Sequence, residues 1–133
     1  MVSNLFLQAC EELQIPHTRQ YTNKAFEEHP YKFSLYGLAR LLEGYGVHTQ
    51  GVRFNDKEAA LNDIDTPFVA QVSGDLVLVT AITPTEVSYN WRGEIIQTHY
   101  QEFVLIWSGI ALLMETTDYA GEPNNSGFIF AMP

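Results

Sequence analysis

Residues 67–114 read PFVAQVSGDLVLVTAITPTEVSYNWRGEIIQTHYQEFVLIWSGIALLM, and the punctuation of this stretch decides the fold. Ser73-Gly74-Asp75, Thr83-Pro84-Thr85 and Arg92-Gly93 are turn signals. Gly reaches positive φ without steric cost, Pro presets the first turn dihedral, and a two-residue loop ending in Gly matches the twist of its flanking strands. These turns delimit strands at Phe68–Val72, Leu76–Ile82, Val87–Trp91 and Glu94–Thr98, all rich in β-branched and aromatic residues. Strands so short and so closely joined form an antiparallel meander. A helical segment, Tyr100–Trp107, and an apolar strand, Ile110–Met114, follow it on either side of Ser108-Gly109.

Upstream the apolar period lengthens to that of helices. Ser3 or Asn4 caps a first helix reaching about Leu13, with Phe6, Ala9, Cys10 and Leu13 on one stripe. Cys10 is therefore expected in the core, whereas a nucleophilic thiol needs an electropositive, partly exposed setting. Ile15-Pro16 ends that helix; a second runs over Asn23–Glu28 behind a cap at Thr18 or Thr22. Ser34 caps a third, Leu35–Tyr45, whose Leu38, Leu41, Leu42 and Tyr45 form a stripe and whose end is marked by Gly46. Val47–Phe54 alternates as a strand, and Asn55 caps a short helix, Asp56–Asn62.

This order predicts one α+β domain over residues 1–116, with N-terminal helices packed on a C-terminal antiparallel sheet. At 133 residues a single domain buries roughly two-thirds of its unfolded surface, enough for an independent core. Residues 117–133 turn to Thr, Asp, Gly, Pro, Asn and Ser and read as a tail or linker. The tail ends in an apolar fragment, Gly127–Pro133, which fits either the first turn of a membrane segment or a docked or added tail.

Charge and composition exclude several function classes. With 16 acidic against 7 basic residues the chain carries −9, which opposes nucleic-acid binding, where clustered cations must neutralise phosphates. The same charge disfavours an anionic membrane surface, and no apolar run in residues 1–116 approaches the roughly 20 residues that span a bilayer. The N-terminus lacks a secretory pattern, so a soluble domain is expected. One cysteine allows neither an internal disulfide nor a CxxC site. His17, His29, His48 and His99 show no HxxxH or HExxH spacing, and Gly37, Gly44 and Gly46 match no phosphate-binding loop; no metal or cofactor is expected. Glu11-Glu12 and Glu27-Glu28 are adjacent on helices and point apart, as solvated charges do.

The aromatic residues offer more. Tyr36 on the third helix and Tyr89 and Trp91 in the meander are candidates for a groove that holds an extended peptide by stacking and edge hydrogen bonds, set against ordinary packing.

Leu13-Gln-Ile-Pro16, the helix SLYGLARLLEGYGV, the strand Gly51-Val-Arg-Phe54 and the closing FVLIWSGIALLM together resemble the bacterial peptidases that cleave double-glycine leaders from bacteriocins. These are papain-like cysteine peptidases of family C-thirty-nine, usually the N-terminal cytosolic domain of an ABC exporter. The resemblance covers about Leu5 to Glu115 and implies the papain-like cysteine peptidase fold. Its catalytic pattern is not matched. The nucleophile position falls near Met1, where there is no Cys; Cys10 lies more than two turns further on. The oxyanion-hole Gln, expected before that position, has no place on the chain. Leu76 stands where the general-base His is expected and Asn90-Trp91 where the orienting Asp is expected.

The resemblance therefore implies no catalytic residues and a non-catalytic binding or regulatory module. Its candidate groove is Tyr36, Leu76, Tyr89, Asn90 and Trp91. Its partner is an extended peptide or a domain of the same full-length membrane protein, an exporter or a vitamin K epoxide reductase-like fusion. It would sit in the cytoplasm or on the cytoplasmic face of the inner membrane. An active cysteine peptidase and a free-standing small-molecule binder are the alternatives.

Overall fold

The computed structural model of the chain describes residues 4–29, 34–117 and 120–121. These divide into two compact units, one of Gln50–Leu113 and one of Asn4–Thr49 with the described residues from Met114 onward.

The second of these units holds three helices, α1 (Leu5–Leu13), α2 (Arg19–Glu28) and α3 (Leu35–Gly44). Each begins where a short polar side chain takes an otherwise unpaired backbone N–H. Asn4 accepts from Leu7 N at 2.9 Å, Thr18 from Tyr21 N at 3.2 Å, and Ser34 from Gly37 N at 3.0 Å. Thr18 is thus the cap of α2, and the helix starts earlier than its apolar pattern alone indicates. The unit's core takes Phe6, Ala9, Cys10, Phe26, Leu38 and Leu42, each at most 1% exposed. Thr22 is buried too, and its hydroxyl lies 3.1 Å from that of Tyr45. The segment after the sheet begins tied to this unit: Thr117 Oγ1 donates to the Gly46 carbonyl at 2.8 Å and Gly121 N to the Tyr45 carbonyl at 2.7 Å. The apolar Gly127–Pro133 fragment lies outside the described residues.

The sheet comprises β1 (His48–Arg53), β2 (Phe68–Val72), β3 (Asp75–Ile82), β4 (Glu86–Trp91), β5 (Glu94–His99) and β6 (Trp107–Glu115), in the order β1-β6-β2-β3-β4-β5. The β2-to-β5 meander is present, and β2 pairs antiparallel with both β3 and β6. Two helices belong with it, α4 (Lys57–Asp63) and α5 (Tyr100–Ile106). The cap of α4 is Asp56, accepting from Ala59 N at 3.1 Å, one residue beyond the expected Asn55.

One boundary differs in kind. Ser108-Gly109 does not separate a helix from a strand; α5 ends at Ile106 and β6 starts at once, with Ser108-Gly109 inside it. The pairing Ala70↔Ala111 and then Val72↔Trp107 leaves extra residues on β6, a bulge. Gly109 takes φ +91, and a Cβ there would sit 2.6 Å from the Phe54 carbonyl oxygen. That contact is drawn close because Phe54 N donates to the Gly109 carbonyl at 2.8 Å. Only glycine meets both demands.

Strand alternation sorts the sheet into two faces. Phe68, Ala70, Val72, Val77, Val79, Val87 and Tyr89 join Ala60, Leu61, Tyr100, Phe103, Trp107 and Ala111 in one apolar cluster. The other face carries Val69, Leu78 and Leu112, also buried. No helix among the described residues is long and apolar enough to cross a membrane.

Two outcomes follow. Gly109→Ala should lower stability by ~2 kcal/mol or more, read as a fall in urea midpoint; an unchanged midpoint would contradict the bulge geometry. Cys10, 0% exposed, should react with a thiol reagent only as the fold opens, so alkylation in native buffer should proceed many-fold more slowly than in denaturant.

Candidate functional site

The two positions that the peptidase resemblance assigns to base and orienting acid lie on neighbouring strands. The Ser73-Gly74 turn, with φ of 50° and 85°, delivers Leu76 as the second residue of β3. Leu78 pairs with Asn90 across β3 and β4, so Leu76 and Asn90 share a face and stand one diagonal step apart. A leucine there can neither take nor give a proton. The Asn90 side chain is committed to the next turn: its Oδ1 accepts from Gly93 N at 2.9 Å. Arg92 and Gly93, at φ 52° and 88°, form the mirror-image turn that favours tight hairpins. The nucleophile position near Met1 lies outside the described residues.

The structure splits the candidate groove. Tyr89 and Trp91 lie on the face opposite Leu76 and Asn90, because side chains alternate along β4. Tyr89 is 7% exposed, its ring 5.6 Å from that of Phe103 and its hydroxyl 3.5 Å from Thr98 Oγ1. It is a core residue, not a groove wall. Trp91 is half-buried and donates from Nε1 to Asp75 Oδ2 at 3.1 Å. The Arg92 guanidinium stacks 5.1 Å from the Trp91 ring centre and reaches the same Asp75 oxygen at 3.3 Å. This Trp91-Asp75-Arg92 triangle joins the ends of two hairpins. Tyr36, on α3 in the helical unit, is 65% exposed. Among the described residues no group of three or more His, Cys, Asp or Glu is placed to hold a metal ion.

No protein-family model matches the sequence, and no curated protein matches it. Solved structures do. The peptidase domain of Streptococcus ComA, a bi-functional ABC transporter involved in a quorum sensing pathway, superimposes with a TM-score of 0.67 at 12% identity, over 84% of this chain and 88% of that one. The N-terminal family-C-thirty-nine-like peptidase domain of the toxin secretion ATP-binding protein from Vibrio parahaemolyticus gives 0.66 at 14% identity, over 88% and 99%. A double-glycine motif protease from an AMS/PCAT transporter, in complex with the leader peptide, gives 0.63 at 14% identity, over 74% and 71%.

The fold is that of the double-glycine peptidase domains. Within this peptidase fold, the sheet unit of the chain has a polar feature that its sequence does not advertise. An open depression of about 350 Å³ lies between the end of α4 and the β3–β4 turn, with Asn62, Asp65, Thr66 and Thr83 over Leu61 and Ile82. Beside it the buried Tyr100 hydroxyl donates to the Glu58 carbonyl at 2.7 Å, with Asn62 Oδ1 at 3.2 Å. Burial raises the Tyr100 phenol above its ordinary value of 10.0, and the negative charges of Glu58 and Asp63 add to the shift. The one sequence signal for this role is a tyrosine directly after a strand, where a helix without a side-chain cap begins.

A phenol whose folded value exceeds its unfolded one stabilises the fold fully below the unfolded value, and that contribution fades as pH rises through the folded value. Tyr100→Phe should therefore cost about 1 kcal/mol near neutral pH. Chemical denaturation at stepwise higher pH should show the gap to the unaltered protein closing above about pH 10; a gap that does not vary with pH would contradict the assignment.

Proposed function

We propose that the chain is a catalytically inactive domain of double-glycine peptidase fold that works as a peptide- or partner-binding module. We further assign it to the N-terminal cytosolic part of a larger bacterial membrane protein. The observation that carries this is the pair Leu76 and Asn90: on one face of adjacent strands, the positions of base and orienting acid hold a hydrocarbon and an amide whose oxygen is already bonded to Gly93 N. Cysteine-peptidase chemistry needs a thiolate, a base that generates it and a donor for the oxyanion. Loss of the base alone forfeits orders of magnitude in rate. Cys10, the single thiol, is buried inside the helical unit and cannot substitute.

Binding is less fragile than catalysis, because it draws on apolar burial and backbone hydrogen bonds rather than on proton-transferring groups. The support for a peptide as ligand is the likeness to a protease crystallised with a leader peptide, and the support for a transporter context is that the similar domains come from transporters.

The test is to incubate the purified chain with double-glycine leader peptides, following cleavage by mass spectrometry and binding by calorimetry. We expect saturable binding and intact peptide, unchanged by Cys10→Ala. Specific cleavage abolished by Cys10→Ala would overturn the inactive assignment, and absence of binding to any leader peptide would overturn leader peptides as the ligand.

A further inference from the structure

Among the described residues β5 ends the sheet on one side, so half of its backbone groups have no strand to bond there. Which half follows from the β4–β5 hairpin. Its two-residue loop closes on the pair Trp91↔Glu94, which in such hairpins exchanges both backbone hydrogen bonds, as does every second pair beyond it. Tyr100 N, donating to the Thr85 carbonyl at 2.9 Å, shows the same parity one step past the strand. The even-numbered residues of β5 therefore bond to β4, and the N–H and C=O of Ile95 and Gln97 point away from the sheet, as does the N–H of His99, whose carbonyl, at the N-cap of α5, takes the first bond of that helix.

Sheets ordinarily blunt such an edge with Lys, Pro or a bulge. β5 is EIIQTH, with none of these residues, and its pairing with β4 runs from Glu86↔His99 to Trp91↔Glu94 without a register shift. Ile95, Gln97 and His99 are exposed, Ile95 at 63%. The strand is neutral at its centre and surrounded by carboxylates. Glu94 opens it, Glu86 lies across from His99, and Glu102 stands in the first turn of α5. All three are exposed, and among the described residues none enters an ion pair. These charges discriminate between occupants. A second copy would bring another −9 and the same carboxylates to the contact, whereas a segment with cations flanking an apolar centre would gain on both counts.

We propose that β5 is a strand-addition edge that captures an extended segment of a partner polypeptide, β-branched at its centre and carrying Lys or Arg at both ends. The outward backbone groups of Ile95, Gln97 and His99 bond to it, Ile95 packs beside one of its apolar side chains, and Glu86, Glu94 and Glu102 meet its cations. The class of occupant rests on the peptide-binding function proposed above; the new element is the place of contact.

The experiment uses the isotope-labelled 133-residue chain and a capped peptide, Lys-Thr-Val-Thr-Val-Thr-Lys, with amide hydrogen exchange read residue by residue. Saturable protection of Ile95, Gln97 and His99 is expected, with Ile96 and Thr98, already bonded to β4, unchanged. A peptide with Glu in place of Lys, and the double variant Glu94→Lys/Glu102→Lys, should each weaken this at least about ten-fold. Gln97→Pro removes an outward donor without touching the β4 ladder and should also weaken it. No protection of the three amides at saturating peptide would overturn the proposal, as would their protection by raised protein concentration alone, which marks pairing between two copies. A leader peptide that binds while the β5 amides stay unprotected would overturn the edge site and leave the proposed function standing. Protection by the lysine-flanked peptide alongside failure of every leader peptide would support the edge and overturn leader binding.

Discussion

Trp107 sits where α5 ends and β6 begins, 1% exposed, with the rings of Phe54, Phe103 and Phe68 at 5.9, 6.0 and 6.2 Å. A ring that buries about 200 Å² contributes roughly 5 kcal/mol of transfer free energy, several times what one hydrogen bond adds, about 1 kcal/mol. Burial therefore leads here and hydrogen bonding follows: the indole Nε1 donates to the Ile110 carbonyl at 3.0 Å, and Lys57 Nζ donates to the Trp107 carbonyl at 2.9 Å. Holding this side chain in the core while β6 continues past it requires the bulge at Gly109, which in turn accepts Phe54 N. The Trp-Ser-Gly sequence is thus one mechanical unit, in which the aromatic residue supplies the energy and the glycine supplies the backbone that permits it.

The two faces of the meander differ in what they carry. One face is spent on the apolar cluster around Phe103 and Trp107, and it takes Tyr89 as core and Trp91 as part of its margin. The other face runs from the buried Leu78, through half-buried Asn90, to the exposed Ile95 at the edge. A reactive centre built on that face would need titratable groups at its middle, and this chain has Leu76 and Asn90 there. What remains usable is shape, apolar surface and unpaired backbone at β5. A strand edge binds through groups that every residue carries.

Charge works in the same direction. The carboxylates around β5 and the overall −9 oppose the approach of a second copy of the chain and of nucleic acid alike. Three ion pairs among the described residues are exposed: Arg40 with Glu43, Arg92 with Asp75, and Arg19 with Glu11. Such pairs contribute little to stability.

Local chemistry was enough to place the helices and the meander. Asn4, Thr18 and Ser34 cap helices because their side chains accept backbone donors within the same few residues, and Ser73-Gly74 and Arg92-Gly93 turn the chain because their backbones reach positive φ. The stripe that buries Cys10 was legible for the same reason: it is a matter of residue type at a spacing. Three things were not. That Ser108-Gly109 continues a strand depends on the Phe54 backbone, which lies far away in sequence and close in space. That Tyr89 and Trp91 face away from Asn90 depends on strand phase relative to a core that the rest of the unit supplies. That β5 is an edge, and Tyr100 a buried donor to α4, depends on which strands and helices become neighbours. Turn and cap energies are set within a few residues, whereas facing, edges and burial are set by contacts between distant segments, and only the tertiary structure decides those.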